Sequence, residues 1–253
     1  MRELIAPRSG GITAALFDRW DGGDPHRPRL VWYGEPGRTE LSTASLTNWA
    51  AKTAGFLVDE LGAGPGDSVL WRVRRSWQGL PLLLGCWWAG LVVTDDESAA
   101  GDVVAAFVDE GGDADADEVV VASTHPFGLA GPLPPLSRSV ADAILPQADR
   151  FTPRSAGPGP DAPAIVTATG SLSVGEVLAV AGEAAAALEN DAVVLSTAVT
   201  DLPDGVCGGA LAAWAAGGCL VQLGPESDPE RIGAAERGTA TFGFSLAGWP
   251  RIG

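Results

Sequence analysis

The sequence predicts an α/β fold: parallel-sheet layers with flanking helices, arranged as two related βαβαβ halves. The first observation is a strand–helix–strand succession over residues 68–94, in which Gly90 ends the helix, an order typical of a crossover between parallel strands. The same order recurs over residues 192–223, where Gly217 and Gly218 follow the helix. The third observation is the composition, because 46% hydrophobic against 19% charged residues in a chain of 253 can form a sizeable core.

The elements of the first half follow from apolar spacing and from turn residues. In chain order they are a helix at 12–20, strands at 29–33 and 39–42, a helix at 45–61, a strand at 68–73, a helix at 77–89 and a strand at 91–94. Ser42 or Thr43 can cap the helix at 45–61, and Gly62 and Gly64 end it because glycine adopts the left-handed conformation without steric cost. Two short strands at 103–108 and 118–122 follow.

The second half repeats this order. Its predicted elements are a strand at 164–167, a helix at 174–188, a strand at 192–199, a helix at 206–216, a strand at 219–223, a short helix at 229–237 and a strand at 239–244. Residues 84–93 and 212–221 are similar, which indicates either a duplication or two units under the same packing demands. We expect a first α/β half at 1–123, a Pro/Gly-rich connecting segment at 124–160 and a second half at 161–253.

The net charge limits the classes of partner. It is −16, from 16 basic and 32 acidic residues, so the surface repels nucleic acid and anionic membranes but is compatible with a small ligand or a protein partner. Because the N-terminus lacks the apolar region of a secretory leader and no apolar run is long enough to span a bilayer, we expect a cytoplasmic protein. Cys86, Cys207 and Cys219 have no CxxC spacing and predict buried, reduced thiols.

The basic residues and histidines limit the chemistry. Lys52 is the only lysine, so any reaction that needs a lysine has one candidate. The preference for arginine, with abundant alanine, glycine and aspartate, indicates a GC-rich coding sequence of the actinobacterial kind. His26 and His125 lie beside prolines without a metal partner at motif spacing, and there is no Gly-x-Ser-x-Gly elbow to support a catalytic triad.

An acidic stretch has part of the spacing of a calcium loop. Asp113, Asp115 and Asp117 alternate as in such a loop, but Glu118 occupies the sixth position, where glycine is needed, and Thr124 the twelfth, where glutamate is needed. The pattern therefore favours a solvated acidic turn over a metal site.

Residues 167–171 lie between a buried strand and a helix, where backbone N–H groups of an α/β protein can face a phosphate. The segment contains one glycine and no cation, and it matches neither common phosphate-loop motif. The alternative is a helix cap at Ser171 or Ser173, with Glu176 completing a capping box from Ser173. The candidate ligand-binding residues are Thr167, Thr169, Gly170 and Ser171.

Four motifs carry a family resemblance. They are Pro25-His26-Arg27-Pro28-Arg29-Leu30-Val31, Thr39-Glu40-Leu41-Ser42, Gly64-Pro65-Gly66-Asp67-Ser68-Val69 and Trp87-Trp88-Ala89-Gly90-Leu91-Val92-Val93. In this order they resemble the opening strand, the first long helix region, the Gly-Asp turn and the helix exit of the N-terminal domain of the adenylate-forming (AMP-binding) superfamily. That superfamily contains acyl-CoA synthetases, peptide-synthetase adenylation domains and luciferases. The second half fits the same order with looser motifs.

The sequence departs from this superfamily at its chemical motifs. The family's phosphate loop ends in Pro-Lys-Gly, and residues 167–171 stand in its place without that ending. The family's Tyr-Gly-x-Thr-Glu motif, ribose-binding aspartate and C-terminal catalytic lysine are expected beyond the end of this chain. Since phosphoryl transfer depends on positioning and cationic stabilisation, the resemblance implies a pseudoenzyme without catalytic residues, metal or cofactor. ATP or AMP is the nucleotide that a remnant loop would take.

Three functional hypotheses follow from the resemblance. The first is a truncated, non-catalytic AMP-binding-like protein that binds a nucleotide, an acyl-type ligand or a protein partner, similar to a group of actinobacterial proteins that look like isolated pieces of AMP-binding enzymes. The second is an acyl-CoA synthetase-like ligase of the acid–AMP or acid–CoA type, completed by a separate protein. The third is a structural role. An open cavity beside Thr169 and Gly170 would favour ligand binding, whereas a filled one would favour the structural role.

Overall fold

The computed structural model describes residues 10–34, 37–74, 76–98, 103–198 and 200–253, so the N-terminal stretch that argued against a leader lies outside the described residues. The helices are α1 (Ile12–Trp20), α2 (Thr43–Gly55), α3 (Gly79–Trp88), α4 (Val140–Ala143), α5 (Val174–Ala186), α6 (Ala212–Ala215) and α7 (Pro229–Glu236). The strands are β1 (Pro28–Gly34), β2 (Gly37–Ser42), β3 (Ser68–Arg72), β4 (Val92–Thr94), β5 (Val103–Asp109), β6 (Val119–Ala122), β7 (Ser137–Ser139), β8 (Pro163–Thr167), β9 (Gly170–Ser173), β10 (Val193–Ser196), β11 (Cys219–Leu223), β12 (Ala240–Phe242) and β13 (Arg251–Ile252). A π-helical turn, Phe56–Glu60, continues α2, and a π-helical segment, Gly205–Leu211, leads into α6.

In the described part of the chain these strands form two sheets. One has the order β7-β6-β5-β3-β4-β8-β9, and the other has the order β13-β12-β10-β11-β1-β2. Neighbouring strands are parallel except in the hairpins β1–β2 and β8–β9, which close one edge of each sheet. The predicted α/β fold with parallel-sheet layers is confirmed.

Each sheet takes its hairpin from the other part of the chain. The hairpin β1–β2 joins the sheet of the C-terminal strands through pairing of β1 with β11, and β8–β9 joins the sheet of the N-terminal strands through pairing of β8 with β4. The sheet boundaries therefore do not coincide with the boundaries predicted at residues 123 and 161. The division of the chain into units at 1–123, 124–160 and 161–253 stays a prediction.

The similarity between residues 84–93 and 212–221 extends to three dimensions. In both units a hairpin, a serine-capped helix, a strand, a second helix and a second strand follow one another. The indole of Trp87 donates a hydrogen bond to the backbone oxygen of Ala164 at 3.1 Å, and the indole of Trp214 donates one to that of Arg29 at 2.8 Å. A tryptophan of each unit thus holds the first strand of the other.

The core lies between the sheets and the helices that cover them. Trp71 and Trp214 are among the largest fully buried side chains, and α2 packs closely on α3. Cys86, Cys207 and Cys219 are free and buried, as predicted, and burial raises the pKa of the Cys207 thiol to about 12. Among the described residues, none of the helices has both the length and the apolar character needed to cross a bilayer.

Candidate functional site

The segment predicted as a ligand loop forms a β-hairpin. Thr167 pairs with Gly170, so that Ala168 and Thr169 make the turn between β8 and β9. We expected the strand to lead directly into the helix. That prediction was wrong, because residues 170–173 form β9, which pairs with β8 before α5 begins. Thr169, Gly170 and Ser171 are exposed. A ligand-binding role for Thr167, Thr169, Gly170 and Ser171 stays a prediction.

Polar groups of this hairpin and of the adjoining helix end bind one another. Thr167 Oγ1 accepts a hydrogen bond from the backbone N–H of Thr169 at 3.3 Å. At the start of α5, Ser173 Oγ accepts the N–H of Glu176, and the Glu176 carboxylate accepts the N–H of Ser173 at 2.7 Å, which confirms the predicted capping box. The hydrogen bonds from the Ser173 backbone and side chain lower the pKa of Glu176. A carboxylate of the chain itself therefore already faces this helix end.

An open cleft lies instead at the carboxyl ends of β1, β10 and β11. Its volume is about 530 Å³, and a neighbouring pocket of about 510 Å³ shares part of its wall, including Gly34 and Gly224. The carboxyl edge of parallel strands is where open α/β sheets bind their ligands. The side chains that line the cleft include Trp32, Arg74, Thr124, Thr197, Gln222 and Ser227. Arg74 and Thr124 follow strands of one sheet. Trp32 and Gln222 lie in strands of the other sheet, and Thr197 and Ser227 follow strands of it, so both sheets contribute to the site.

The hairpin β1–β2 forms one wall of the cleft because it is longer than its counterpart β8–β9. Each hairpin begins with a proline–serine pair, Pro28–Ser42 or Pro163–Ser173, and a register shift follows that pair. Beyond the shift, β8–β9 has three residue pairs and β1–β2 has five. The two additional pairs are Tyr33–Arg38 and Gly34–Gly37, and all four residues line the neighbouring pocket. A Cβ atom at Gly34 would lie 2.1 Å from the Trp32 ring, so only glycine fits beside that ring.

Gln222 is the buried polar residue of the cleft. Its side chain is 5% exposed, and its Oε1 has no hydrogen-bond partner among the described residues. It pairs in register with Trp32 on β1 and with Ser196 on β10. An unpaired buried acceptor costs about 1–3 kcal/mol, so this group is a candidate contact for a bound molecule.

One arginine of the cleft and one of the neighbouring pocket form ion pairs. Within the described lining Arg74 is the cation, and its Nη1 lies 2.8 Å from Asp201 Oδ1. In the neighbouring pocket, Arg38 Nε donates to Glu236 Oε1 at 2.8 Å and Tyr33 donates its hydroxyl to the same oxygen at 2.5 Å. The hydrogen bond from Arg38 lowers the pKa of Glu236, whereas burial raises the pKa of Tyr33.

Lys52 lies outside the cleft. From α2 its Nζ donates to the backbone oxygens of Leu145, at 3.0 Å, and of Gln147, and it forms an ion pair with Asp149 at 2.7 Å. The lysine side chain is 14% exposed. The one lysine of the sequence therefore ties α2 to the connecting segment.

The other candidate residues from the sequence do not come together. His125 Nδ1 accepts the backbone N–H of Phe127 at 3.1 Å, and the three alternating aspartates near residue 115 are exposed. The described residues contain no cluster of histidine, cysteine and acidic side chains that could hold a metal ion. Sequence reasoning missed Trp32, Arg74 and Gln222. The available signal was a glutamine within the otherwise apolar strand predicted at 219–223.

Comparison with solved structures identifies the fold. No family model matches the chain. An acyl-CoA synthetase of Brucella canis superposes with a TM-score of 0.75 at 16% identity, over 94% of this chain and 48% of that one. A fatty acyl-adenylate ligase of L. pneumophila gives 0.71 at 13% identity, over 96% and 45%, and the anthranilate CoA ligase AuaEII gives 0.70 at 12%, over 96% and 51%. The chain thus has the adenylate-forming fold that its motifs predicted, and it spans about half the length of these solved chains.

Sequence comparison identifies the family. The chain is 36% identical over 225 residues to the TIGR03089 family protein of Mycobacterium tuberculosis (strain ATCC 25618 / H37Rv). The match covers 84% of this chain and 89% of that protein, and it agrees with the predicted similarity to actinobacterial proteins. The protein therefore belongs to the TIGR03089 family.

Proposed function

We propose that the protein is a non-catalytic member of the adenylate-forming fold, a pseudoenzyme that binds a small nucleotide or acyl-type ligand in the cleft at the carboxyl ends of β1, β10 and β11. The observation that carries this proposal is the open volume of about 530 Å³, which residues following both sheets line, among them the buried Gln222, whose Oε1 is unpaired. A cleft of this size, with polar side chains set in a mainly apolar wall, is typical of small-molecule sites. We place the protein in the cytoplasm and expect it to act without a metal or a resident cofactor.

The one lysine of the chain and the arginine of the cleft argue against adenylation. Transfer to or from ATP concentrates negative charge, which enzymes stabilise with several fixed cations. Lys52 is committed to Leu145, Gln147 and Asp149, and Arg74 already lies against Asp201. The described lining therefore offers one partly neutralised cation, which suits binding of a single anionic group better than stabilisation of a pentavalent phosphate.

A cleft-filling variant tests the binding site. Thr197 is an exposed residue of the cleft lining, so Thr197→Trp places an indole in the cavity without disturbing the core. Thr169→Trp is the matched control, since Thr169 is an exposed threonine on the hairpin that the sequence suggested as a ligand loop.

Isothermal titration calorimetry with ATP, AMP and a non-hydrolysable acyl-AMP mimic should show binding of at least one compound to the unmodified protein. We expect Thr197→Trp to weaken that binding about tenfold or more, about 1.4 kcal/mol, and Thr169→Trp to leave it unchanged. The opposite pattern would place the site at the hairpin. ATP–pyrophosphate exchange with a panel of carboxylic acids should give no turnover, and sustained exchange by the isolated chain would refute the non-catalytic role.

The second candidate is a ligase of the acid–AMP or acid–CoA type that a separate protein completes. An exposed apolar stretch favours a protein partner: Phe127 is 85% exposed, Leu129 61% and Leu136 98%. Large apolar side chains that are this exposed are candidates for contact with a protein partner. Exchange activity that appears only when a second purified protein is added would favour this candidate over the first.

A further inference from the structure

Gln222 interrupts an apolar strand at the point where that strand meets the cleft. The other residues of β11 are Cys219, Leu220, Val221 and Leu223, and all of them are buried. Gln222 is buried to the same degree, yet its carboxamide oxygen has no hydrogen-bond donor among the described residues. Folding by itself gains nothing from such a group, since an apolar side chain of the same shape would avoid the cost of an unpaired acceptor.

The neighbours of Gln222 on the sheet do not supply the missing donor. Ser196 lies on one side, where its Oγ accepts the backbone N–H of Ala198 at 3.1 Å, and the indole of Trp32 lies on the other, and neither side chain donates a hydrogen bond to Gln222 Oε1. The remaining neighbour of Gln222 is the cleft, which this residue lines although its Oε1 is itself covered. A molecule in that cleft is therefore the partner that the geometry leaves for it.

The chemistry of a carboxamide restricts that molecule. Its oxygen is an acceptor with two lone pairs and its nitrogen donates two hydrogen bonds, so the edge of the amide pairs best with a group that presents an N–H donor next to an acceptor. A primary carboxamide and the amino edge of a 6-aminopurine both have this arrangement, and glutamine binds adenine in this bidentate manner. A carboxylate or phosphate presents acceptors only, and an aliphatic chain presents neither.

We propose that Gln222 is the specificity-determining residue of the cleft, selecting ligands with an amide-type edge, in which an N–H donor lies beside an acceptor, over carboxylates and plain acyl chains. This inference rests on the proposed binding function of the cleft.

Two matched compound pairs test it on the unmodified protein by calorimetry. Adenosine is compared with purine riboside, and nicotinamide with 3-acetylpyridine, because the second member of each pair lacks the N–H donor. We expect at least one donor-bearing compound to bind about 5–150-fold more tightly than its partner, the range for one bidentate pair. A difference within the adenosine pair would identify the edge that Gln222 recognises as that of an aminopurine, and a difference within the nicotinamide pair would identify it as that of a carboxamide. Equal affinity within both pairs would overturn the inference.

The variant Gln222→Leu provides the second test, with Gln147→Leu as the control because it makes the same chemical change outside the cleft. Gln222→Leu should lose the preference within the compound pair, while its urea-unfolding midpoint stays at or above that of the unmodified protein. Retention of the preference by a folded Gln222→Leu would overturn the inference. Binding of hexanoate with no binding of adenosine or nicotinamide would overturn it too, while leaving the proposed function intact. Failure of every compound, including ATP, AMP and the acyl-AMP mimic, would overturn the proposed function itself.

Discussion

The variant Lys52→Met separates a structural lysine from a catalytic one. It removes the ammonium group that binds the backbone oxygens of Leu145 and Gln147 and the carboxylate of Asp149, while keeping a long apolar side chain on α2. If the lysine serves only to hold the connecting segment, the variant should lose stability and keep its ligand affinity. If the lysine instead took part in binding or catalysis, the variant should lose ligand affinity or activity and keep its stability.

The size of the effect follows from the exposure of each contact. A hydrogen bond from a charged donor contributes about 1.5–3 kcal/mol when buried, and the bond to Gln147 lies on the inner side of a lysine that is 14% exposed. The bond to Leu145 is exposed and counts little, as does the pair with Asp149, whose side chain is 70% exposed. We expect a net loss of about 2 kcal/mol, which for a chain of this size lowers the Tm by roughly 4–8 °C.

Thermal and urea unfolding measure this loss, and Arg154→Met serves as the matched control. Arg154 pairs with Asp59 at 2.5 Å, but both side chains are more than half exposed, so that variant should change stability by less than about 1 kcal/mol. An NMR titration gives an independent readout, because Lys52 lowers the pKa of Asp149 and Lys52→Met should raise it again. Unchanged stability of Lys52→Met together with weaker binding of the ligand would refute the structural role.

Two further predictions concern helix packing and pH. A Cβ atom at Gly85 on α3 would lie 2.3 Å from the side chain of Thr53 on α2, so Gly85→Ala should destabilise the protein by about 1–3 kcal/mol in urea unfolding, whereas Gly159→Ala, which meets open space, should not. Equal midpoints for the two variants would mean that the helices are not in close contact. The pKa of Glu176 is lowered in the fold, so the stabilisation from its capping box is present above the unfolded-state pKa and is lost as the pH falls through the folded-state pKa. The Glu176→Gln variant should show a smaller loss of stability than the unmodified protein between neutral and acid pH, and identical pH profiles would contradict the assignment.

The sequence by itself determined the local elements and their class. Apolar runs that end at Gly90 and Gly217 specify strand–helix–strand crossovers, because period and turn chemistry act over a few residues. The capping box at Ser173 and Glu176 was equally readable, since its two partners are three positions apart. These signals, with the quoted motifs, were enough to predict the adenylate-forming fold that the superpositions show.

The tertiary structure alone decided which strands are neighbours and where the cleft opens. Pairing of β1 with β11 joins residues that are about 190 positions apart, as between Leu30 and Leu220, and neither strand carries a local mark of its partner. That pairing decides where the candidate site lies. The turn of the short hairpin at Thr167–Gly170 is exposed, whereas β1 of the longer hairpin lies next to Gln222 and both line the cleft. A binding site depends on contacts between distant segments, and hydrophobic periodicity does not encode those contacts.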